Sequence, residues 1–402
     1  MAPRRPIYLD HHATTPLDPR VLAAMEPYLK DDFGNAASRT HAYGWRAKAA
    51  VDLARERIAL GIGARESEIV FTSGATESNN LALLGAARSA GALSRRGSSK
   101  RDHVVTVETE HRAVLDPCAF LESEGLRVTR IGVDRDGRLD PDRVAQAIDD
   151  RTLLVSVMMA NNEIGVIQPL AEIGENCRQR GAWLHSDAAQ AVGKLPVDVE
   201  SLNVDLLSIS FHKLYGPKGV GALYVRSRSP HVRLAPIVLG GGHEGGLRSG
   251  TLPVASIVGA ACALELCEEE APAEAVRLSA LRDALWKRLS AALEGVVRNG
   301  DPDRCLPGNL NVSFEGVNGD RLLAELPEIA VSSGSACTSL RPEPSHVLTA
   351  LGMAPELVKA SLRFGLGRGT DADAIERAAE CVIKAVLRGR EKPLPAQGAV
   401  NQ

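Results

Sequence analysis

The 402-residue chain lacks a long apolar run, a CxxC pair, an internal repeat and an excess of charge of either sign. The longest small-and-apolar run, VASIVGAACALELC at 254–267, is too short to span a bilayer and ends against EEE. No signal-peptide pattern is visible, and the ordered-looking segment IYLDHHATTP starts at Ile7, which sets the expectation of a cytoplasmic chain without a transit peptide. The seven cysteines, at 118, 177, 262, 267, 305, 337 and 381, are odd in number and form no CxxC. That pattern points to a reducing compartment and away from a disulfide framework or structural zinc. Lys plus Arg is 47 against 50 for Asp plus Glu, a net charge of −3. The chain is therefore expected to bind neither nucleic acid nor membrane directly. The basic cluster SRRGSSKR at 94–101 reads as a solvated surface loop.

Hydrophobic content of 44% and charged content of 24% suit a globular protein with a sizeable core, and the length suits two or three domains. Apolar strand patterns run through EIVFT 68–72, HVVTVE 103–108, RVTRIGV 127–133, LLVSVMMA 153–160, AWLHSD 182–187, DLLSISF 205–211 and VGALYV 220–225. Helical patterns at 76–90, 111–125 and 170–181 lie between them. This alternation predicts an α/β domain with a mostly parallel seven-stranded sheet. The last two strands follow closely, which predicts an antiparallel strand at one edge. After about 250 the pattern changes. A helical stretch at 254–294, expected to break near Pro272, leads to the strand NLNVSF 309–314, a Ser/Gly-rich loop, ASLRFGLG 360–367 and a last helix from 371 to about 388. The division expected is a large domain over 15–255, a smaller α+β domain over 1–14 and 256–390, and a poorly ordered tail at 391–402.

In open parallel sheets, ligands bind beyond the carboxyl ends of the strands. SGATES at 73–78 opens a helix after the first strand and suits an anion at the helix N-terminus, with Thr76 as a candidate N-cap. His111 follows the second strand; Asn161, Asn162 and Glu163, which also suit a turn, follow the fourth. Asp187 and Gln190 follow the next, and Ser210, His212 and Lys213 the one after. A lysine ending a buried strand is unusual, because burying an ammonium is costly; one that sheds its proton readily suits imine formation. An anion cradle, a carboxylate and a lysine at one sheet edge are what pyridoxal 5′-phosphate requires for its phosphate, pyridine nitrogen and aldehyde.

The stretches YLDHHATTP, FGNAASRTH, FTSGATESNN, TEHRAVLD, NNEIGVIQP, HSDAAQAVGKLP, HKLYGPKGVGALYV, GGGHEGGLRSGTLP, SSGSACTS and SLRFGLGR resemble the cysteine desulfurases. These are pyridoxal-phosphate enzymes of the class V aminotransferase group with the fold type I architecture. The resemblance runs in order from residue 8 to 368. It implies that Lys213 attaches the cofactor, Asp187 partners the pyridine nitrogen and Gln190 the ring hydroxyl. It implies phosphate contacts from Ala75, Thr76, Ser210 and His212, and from Thr251 of the other subunit of a homodimer. His111 would stack on the ring and shuttle protons; Asn162 and Arg363 would orient the substrate carboxylate, for which the guanidinium fork is suited.

Cys337 lies in SSGSACTS, the form of the subgroup whose cysteine sits on a long mobile loop. The resemblance implies that L-cysteine becomes L-alanine while its sulfur passes to Cys337 as a persulfide, then to an acceptor or iron–sulfur scaffold protein. Thiolate formation at Cys337 is expected to be helped by His111 or Arg341. No resident metal is implied beyond a passing contact of Cys337 with a nascent cluster. Two features depart from the family: Phe211 stands before HK where Gly is usual, and the tail after 388 is short. The acceptor is left open between housekeeping iron–sulfur, nitrogenase-associated and thiocofactor assembly. A selenocysteine lyase or another class V enzyme is the alternative activity, and an inactive sulfur-network scaffold is the alternative outside enzymes.

Overall fold

The computed structural model describes residues 5–93, 101–333 and 344–391. Cys337, Arg341 and the tail from 392 onward lie outside the described residues. In chain order the first elements are β1 (Ile7–Tyr8), α1 (Pro19–Lys30), α2 (Ala42–Leu60), β2 (Ile69–Thr72), α3 (Ala75–Ser89), β3 (His103–Val107) and α4 (Arg112–Ser123). Then come β4 (Arg127–Ile131), α5 (Pro141–Ala147), β5 (Thr152–Ser156), α6 (Leu170–Arg180), β6 (Trp183–Asp187), β7 (Leu206–Ser210) and β8 (Gly221–Val225). The rest comprises α7 (Val254–Ala292), β9 (Val296–Asn299), β10 (Asn309–Phe314), α8 (Gly319–Ala324), β11 (Ile329–Ala330), β12 (Ser332–Ser333), α9 (His346–Ala350), α10 (Pro355–Lys359), β13 (Ser361–Gly365) and α11 (Ala372–Glu391).

All seven expected strands join one sheet in the order β2-β8-β7-β6-β5-β3-β4. Side chains along a strand alternate between faces, and here both faces are apolar. Ile69, Phe71, Val105, Val155, Leu207 and Ile209 pack into one core with α1, α2 and the first part of α7. Val70, Val104, Leu154, Leu206 and Leu223 pack into a second with α3 and α4. On that second face a polar row crosses the sheet: His185 bonds Ser156 Oγ at 2.8 Å and Ser208 Oγ at 3.0 Å. Burial pushes His185 down to about 4, so the ring stays neutral.

β8 runs antiparallel to both neighbours, and it lies inside the edge rather than at it. The connection at 211–220 is too short for a parallel crossover, so β8 must return beside β7. β2 then caps the outer side of β8. A further expectation fails at Pro272, because α7 is one helix of 39 residues that runs through it. A proline inside a helix forfeits a hydrogen bond. Here packing holds both sides of it: Ala260, Leu264 and Cys267 sit in the first core, Leu285 and Leu289 in a third. That third core also gathers Leu9, the four-stranded sheet β12-β13-β10-β9 and α11.

β2, β3, β5, β6 and β7 all point the same way. Their carboxyl ends therefore reach one edge, and the functional residues follow from that.

Candidate active site

A cleft of about 510 Å³ opens at this edge. Ala75, Thr76, His111, Asn162, Asp187, Gln190, Ser210, His212, Lys213 and Arg363 all line it. Thr251 does not; it is exposed and lies outside the cleft of its own chain.

One end of the cleft is made by the start of α3. The N-cap is Gly74, not Thr76, and no side chain caps the helix. Gly74 has φ of 151°, a conformation that side-chain-bearing residues avoid. It also meets β8 closely: a Cβ on Gly221 would lie 2.5 Å from Gly74 Cα. Glu77 accepts the Ser73 N–H at 2.8 Å and is itself held by Arg248 at 2.8 Å. The first-turn N–H groups at Ala75 and Thr76 thus face the cleft at the positive end of the helix dipole. His212 stands nearby with Nδ1 3.0 Å from Thr14 Oγ1. Burial, then the neighbouring lysines, push it down to about 4.

Asp187 ends β6 in the floor of the cleft. Its Oδ2 accepts from Asn79 Nδ2 at 2.7 Å and its Oδ1 from the Ala189 N–H at 2.9 Å. Two donors fix the plane of this buried carboxylate. His111 is the N-cap of α4, and its Nδ1 accepts the Ala113 N–H at 3.0 Å. The neutral ring therefore carries its proton on Nε2. Asn161 is a turn former, its Oδ1 accepting the N–H groups of Glu163 and Ile164 at 2.8 and 3.0 Å. That turn presents Asn162 to the cleft.

At the other end, Lys213 leaves β7 on the 3₁₀ turn Phe211–Lys213. Its Nζ donates to the carbonyls of His12 and Ala13, each at 2.7 Å. Gln190 lies behind them, and its amide can be oriented without ambiguity. The His12 carbonyl can only accept and is 2.9 Å from Nε2, which leaves Oε1 to accept from Lys194 Nζ at 2.7 Å. His12 Nδ1, 3.1 Å from Oε1, must then be the protonated nitrogen. Arg363, on β13, is buried, with Nη2 donating to Asp10 at 2.8 Å and Ser332 Oγ at 3.1 Å, and Nη1 to the Asn162 carbonyl at 3.0 Å. Its Nε is buried without a partner. Phe211, the departure beside the lysine, is fully buried in the first core and does not line the cleft. The bulk is absorbed on the side away from the site.

Asp10, His12 and Lys194 escaped the sequence reading. The first two sit in IYLDHHATTP and the third in DAAQAVGK, near residues that were singled out. Lys194 meets Gln190 four positions away, whereas nothing in the spacing of His12 and Asp10 reveals their contacts across 178 and 353 positions.

The donor set fits pyridoxal phosphate: an uncapped helix start with hydroxyls for the phosphate, a fixed carboxylate for the ring nitrogen and a lysine for the aldehyde. The sequence pattern described as aminotransferase class V matches residues 7–378. "Cysteine desulfurase IscS" of Anaeromyxobacter sp. (strain Fw109-5) is 54% identical over 386 residues, covering 96% of this chain and 94% of that one. Among solved structures, a "NifS-like protein" superposes with a TM-score of 0.87 at 34% identity, covering 95% of this chain and 100% of the other. "SspA in complex with cysteine" superposes with a TM-score of 0.78 at 38% identity, covering 89% and 98%.

Proposed function

From membership of the class V aminotransferase family, to which this chain belongs, we infer that the protein is a pyridoxal-phosphate-dependent cysteine desulfurase. The observation that carries this reading is one cleft holding Lys213, Asp187, the uncapped start of α3 and Arg363 together. The cofactor supplies an electron sink that loosens bonds at the substrate's α-carbon. The chain supplies the rest. Arg363 takes the substrate carboxylate, with Asn162 beside it. Asp187, pinned by Asn79, holds a proton on the ring nitrogen. His111 offers Nε2–H toward the ring face. Gln190 keeps one amide N–H for the ring hydroxyl while the other holds the His12 carbonyl. L-Cysteine leaves as L-alanine, and its sulfur moves to Cys337. That residue lies outside the described residues.

In the same reading Thr251 reaches the phosphate of a partner subunit in a homodimer. Its exposure on its own chain and the exposed Phe33, Trp45 and Leu239 support that arrangement. The sulfur acceptor is an iron–sulfur scaffold or thiocofactor enzyme in the cytoplasm. The six described cysteines are all unpaired, which suits a reducing compartment.

The test is peptide mapping by mass spectrometry after incubating the holoenzyme with L-cysteine. Cys337 is expected to gain one sulfur, and Lys213→Ala is expected to abolish the gain. A cofactor-loaded protein whose Cys337 stays unmodified would sink the desulfurase reading.

A further inference from the structure

The N-terminal stretch Leu9–His11 lies against β13, two residues from Arg363. The Gly365 N–H donates to the Leu9 carbonyl at 2.7 Å, and the His11 N–H donates to the Gly365 carbonyl at 3.0 Å. Only glycine permits this approach: a Cβ at 365 would lie 2.8 Å from the His12 nitrogen and 2.9 Å from that of His11. The Tyr8 hydroxyl donates to the Asp10 carbonyl at 3.1 Å and fixes the backbone between them. The result is that Asp10 is delivered to the guanidinium of Arg363, with Oδ1 2.8 Å from Nη2. Glu163 also stands near Arg363, but its carboxylate accepts from Ser345 Oγ. Asp10 is thus the one carboxylate hydrogen-bonded to Arg363 among the described residues.

The donors of Arg363 can be followed one by one. A guanidinium has an N–H on Nε and two each on Nη1 and Nη2. Nη2 spends both on Asp10 Oδ1 and Ser332 Oγ. Nη1 spends one on the Asn162 carbonyl. What is left is the Nε–H, which is buried without a partner, and one hydrogen on Nη1. A carboxylate gripped by the fork needs parallel bonds from neighbouring nitrogens, either Nη1 with Nη2 or Nε with Nη2. Nη2 belongs to both pairs. The fork therefore closes on an incoming carboxylate only when Asp10 or Ser332 releases Nη2. A serine hydroxyl can turn and donate to the newcomer, whereas the Asp10 carboxylate can only repel it. Asp10 also has somewhere to go: its side chain is 19% exposed, against 3% for Arg363.

We propose that Asp10 is a specificity-determining residue of the amino-acid site: its carboxylate holds the Arg363 fork until the carboxylate of an amino acid takes it over. The negative charge of Asp10 works against every carboxylate that arrives, and so sets how tightly one is held. Substrate and product of the desulfurase reaction carry the same carboxylate. Tighter grip on it would strengthen the binding of both without favouring the reaction between them. Asp10 does not line the cleft and acts through Arg363, so it is a positioning residue. The proposal rests on the reading of Arg363 as the residue that takes the substrate carboxylate.

The experiment is calorimetric titration of the holoenzyme with two probes, L-alanine and L-alaninamide. The second keeps the amine and the size but carries no negative charge. Absorbance verifies the cofactor content of each variant. Asp10→Asn is expected to bind L-alanine about tenfold more tightly than wild type, because a like charge beside the fork is gone. Its affinity for L-alaninamide is expected to stay unchanged. Asp10→Glu, which restores the charge, is expected to track wild type with both probes. In steady state the KM of Asp10→Asn for L-cysteine is expected to fall while kcat does not rise. Asp10→Ser replaces the Asn variant should that one fail to fold. Unchanged or weaker binding of L-alanine by the neutral variant overturns the proposal, and so does equal tightening toward both probes. An Arg363→Met holoenzyme that binds L-alanine as well as wild type overturns the carboxylate-site reading instead.

Discussion

At the α3 end of the cleft most ligand-facing groups come from one contiguous stretch, 73–76, and are largely backbone, with Ser210 and His212 beside them. At the Lys213 end they are side chains from three separate stretches, with His12, Gln190, Lys194 and Lys213 joined by hydrogen bonds of 2.7 to 3.1 Å. The difference follows from what each end must do. A phosphate keeps its charge throughout, so fixed backbone dipoles serve it without reorganising. An amine that is alternately bound and released changes its charge, so its surroundings must include groups that titrate. Sensitivity to side-chain deletion, and to pH near 7, should therefore concentrate at the Lys213 end.

The largest effect is expected from Gln190→Ala. It strands the buried His12 Nδ1–H and removes the acceptor of half-buried Lys194, and a stranded buried donor costs about 1–3 kcal/mol. Lys194 then competes with Lys213 for the His12 carbonyl. Cofactor affinity, read by absorbance titration of the cofactor-free protein, is expected to fall about 100-fold. A drop below tenfold would erase the contrast between the two ends.

Next in size is Glu163→Gln, in the wall beside Arg363. Glu163 accepts from Ser345 Oγ, and burial pushes it up to about 7. The folded state thus disfavours the carboxylate relative to the unfolded chain. Stability falls as pH rises from about 4.5 to about 7 and bears the full cost above, about 3 kcal/mol. Gln keeps an acceptor for Ser345 without the charge. The variant is expected to resist urea better than wild type at pH 8, with the gain shrinking toward zero at pH 5. A gain that is equal at both pH values would show that the charge is not the cause.

This contrast also governs what could be read from the sequence. Strands buried on both faces appear as apolar runs, and residues just past them must share one edge, so Asp187, Ser210, His212 and Lys213 were legible one by one. β1, β11 and β12 have two residues each and carry no period to detect. α2 presents Ala47, Ala50, Val51, Ala54, Ile58 and Ala59 to the core, a face made mostly of alanines and so weak in apolar contrast. Asp10 and His12 gain meaning only when the chain closes: Asp10 meets Arg363 across 353 positions and His12 meets Gln190 across 178. The α3 end is local in sequence and could be found as a motif. The Lys213 end is assembled by tertiary packing, and only its reactive lysine could be.

The smallest effect is expected from Gly74→Ala, and it probes the backbone-built end by addition rather than deletion. The new Cβ would meet only Ser210 Oγ, at 3.8 Å, so space is not the obstacle. The obstacle is φ of 151°, which an L-residue reaches at a cost of about 1–3 kcal/mol. Two responses are open to the chain. If Gly74 holds its conformation, the strain lowers the melting temperature and leaves cofactor affinity unchanged. If it relaxes, the N–H groups of Ala75 and Thr76 turn away from the anion, and affinity for pyridoxal phosphate falls about tenfold. Because a Cβ on Gly221 would already press on Gly74 Cα at 2.5 Å, β8 leaves little slack for the strand side of the turn to yield. Relaxation should therefore pass to the α3 side, and the affinity loss is the expected outcome. It should also be the same for inorganic phosphate as a competitor and for the cofactor, because backbone N–H groups read the anion alone.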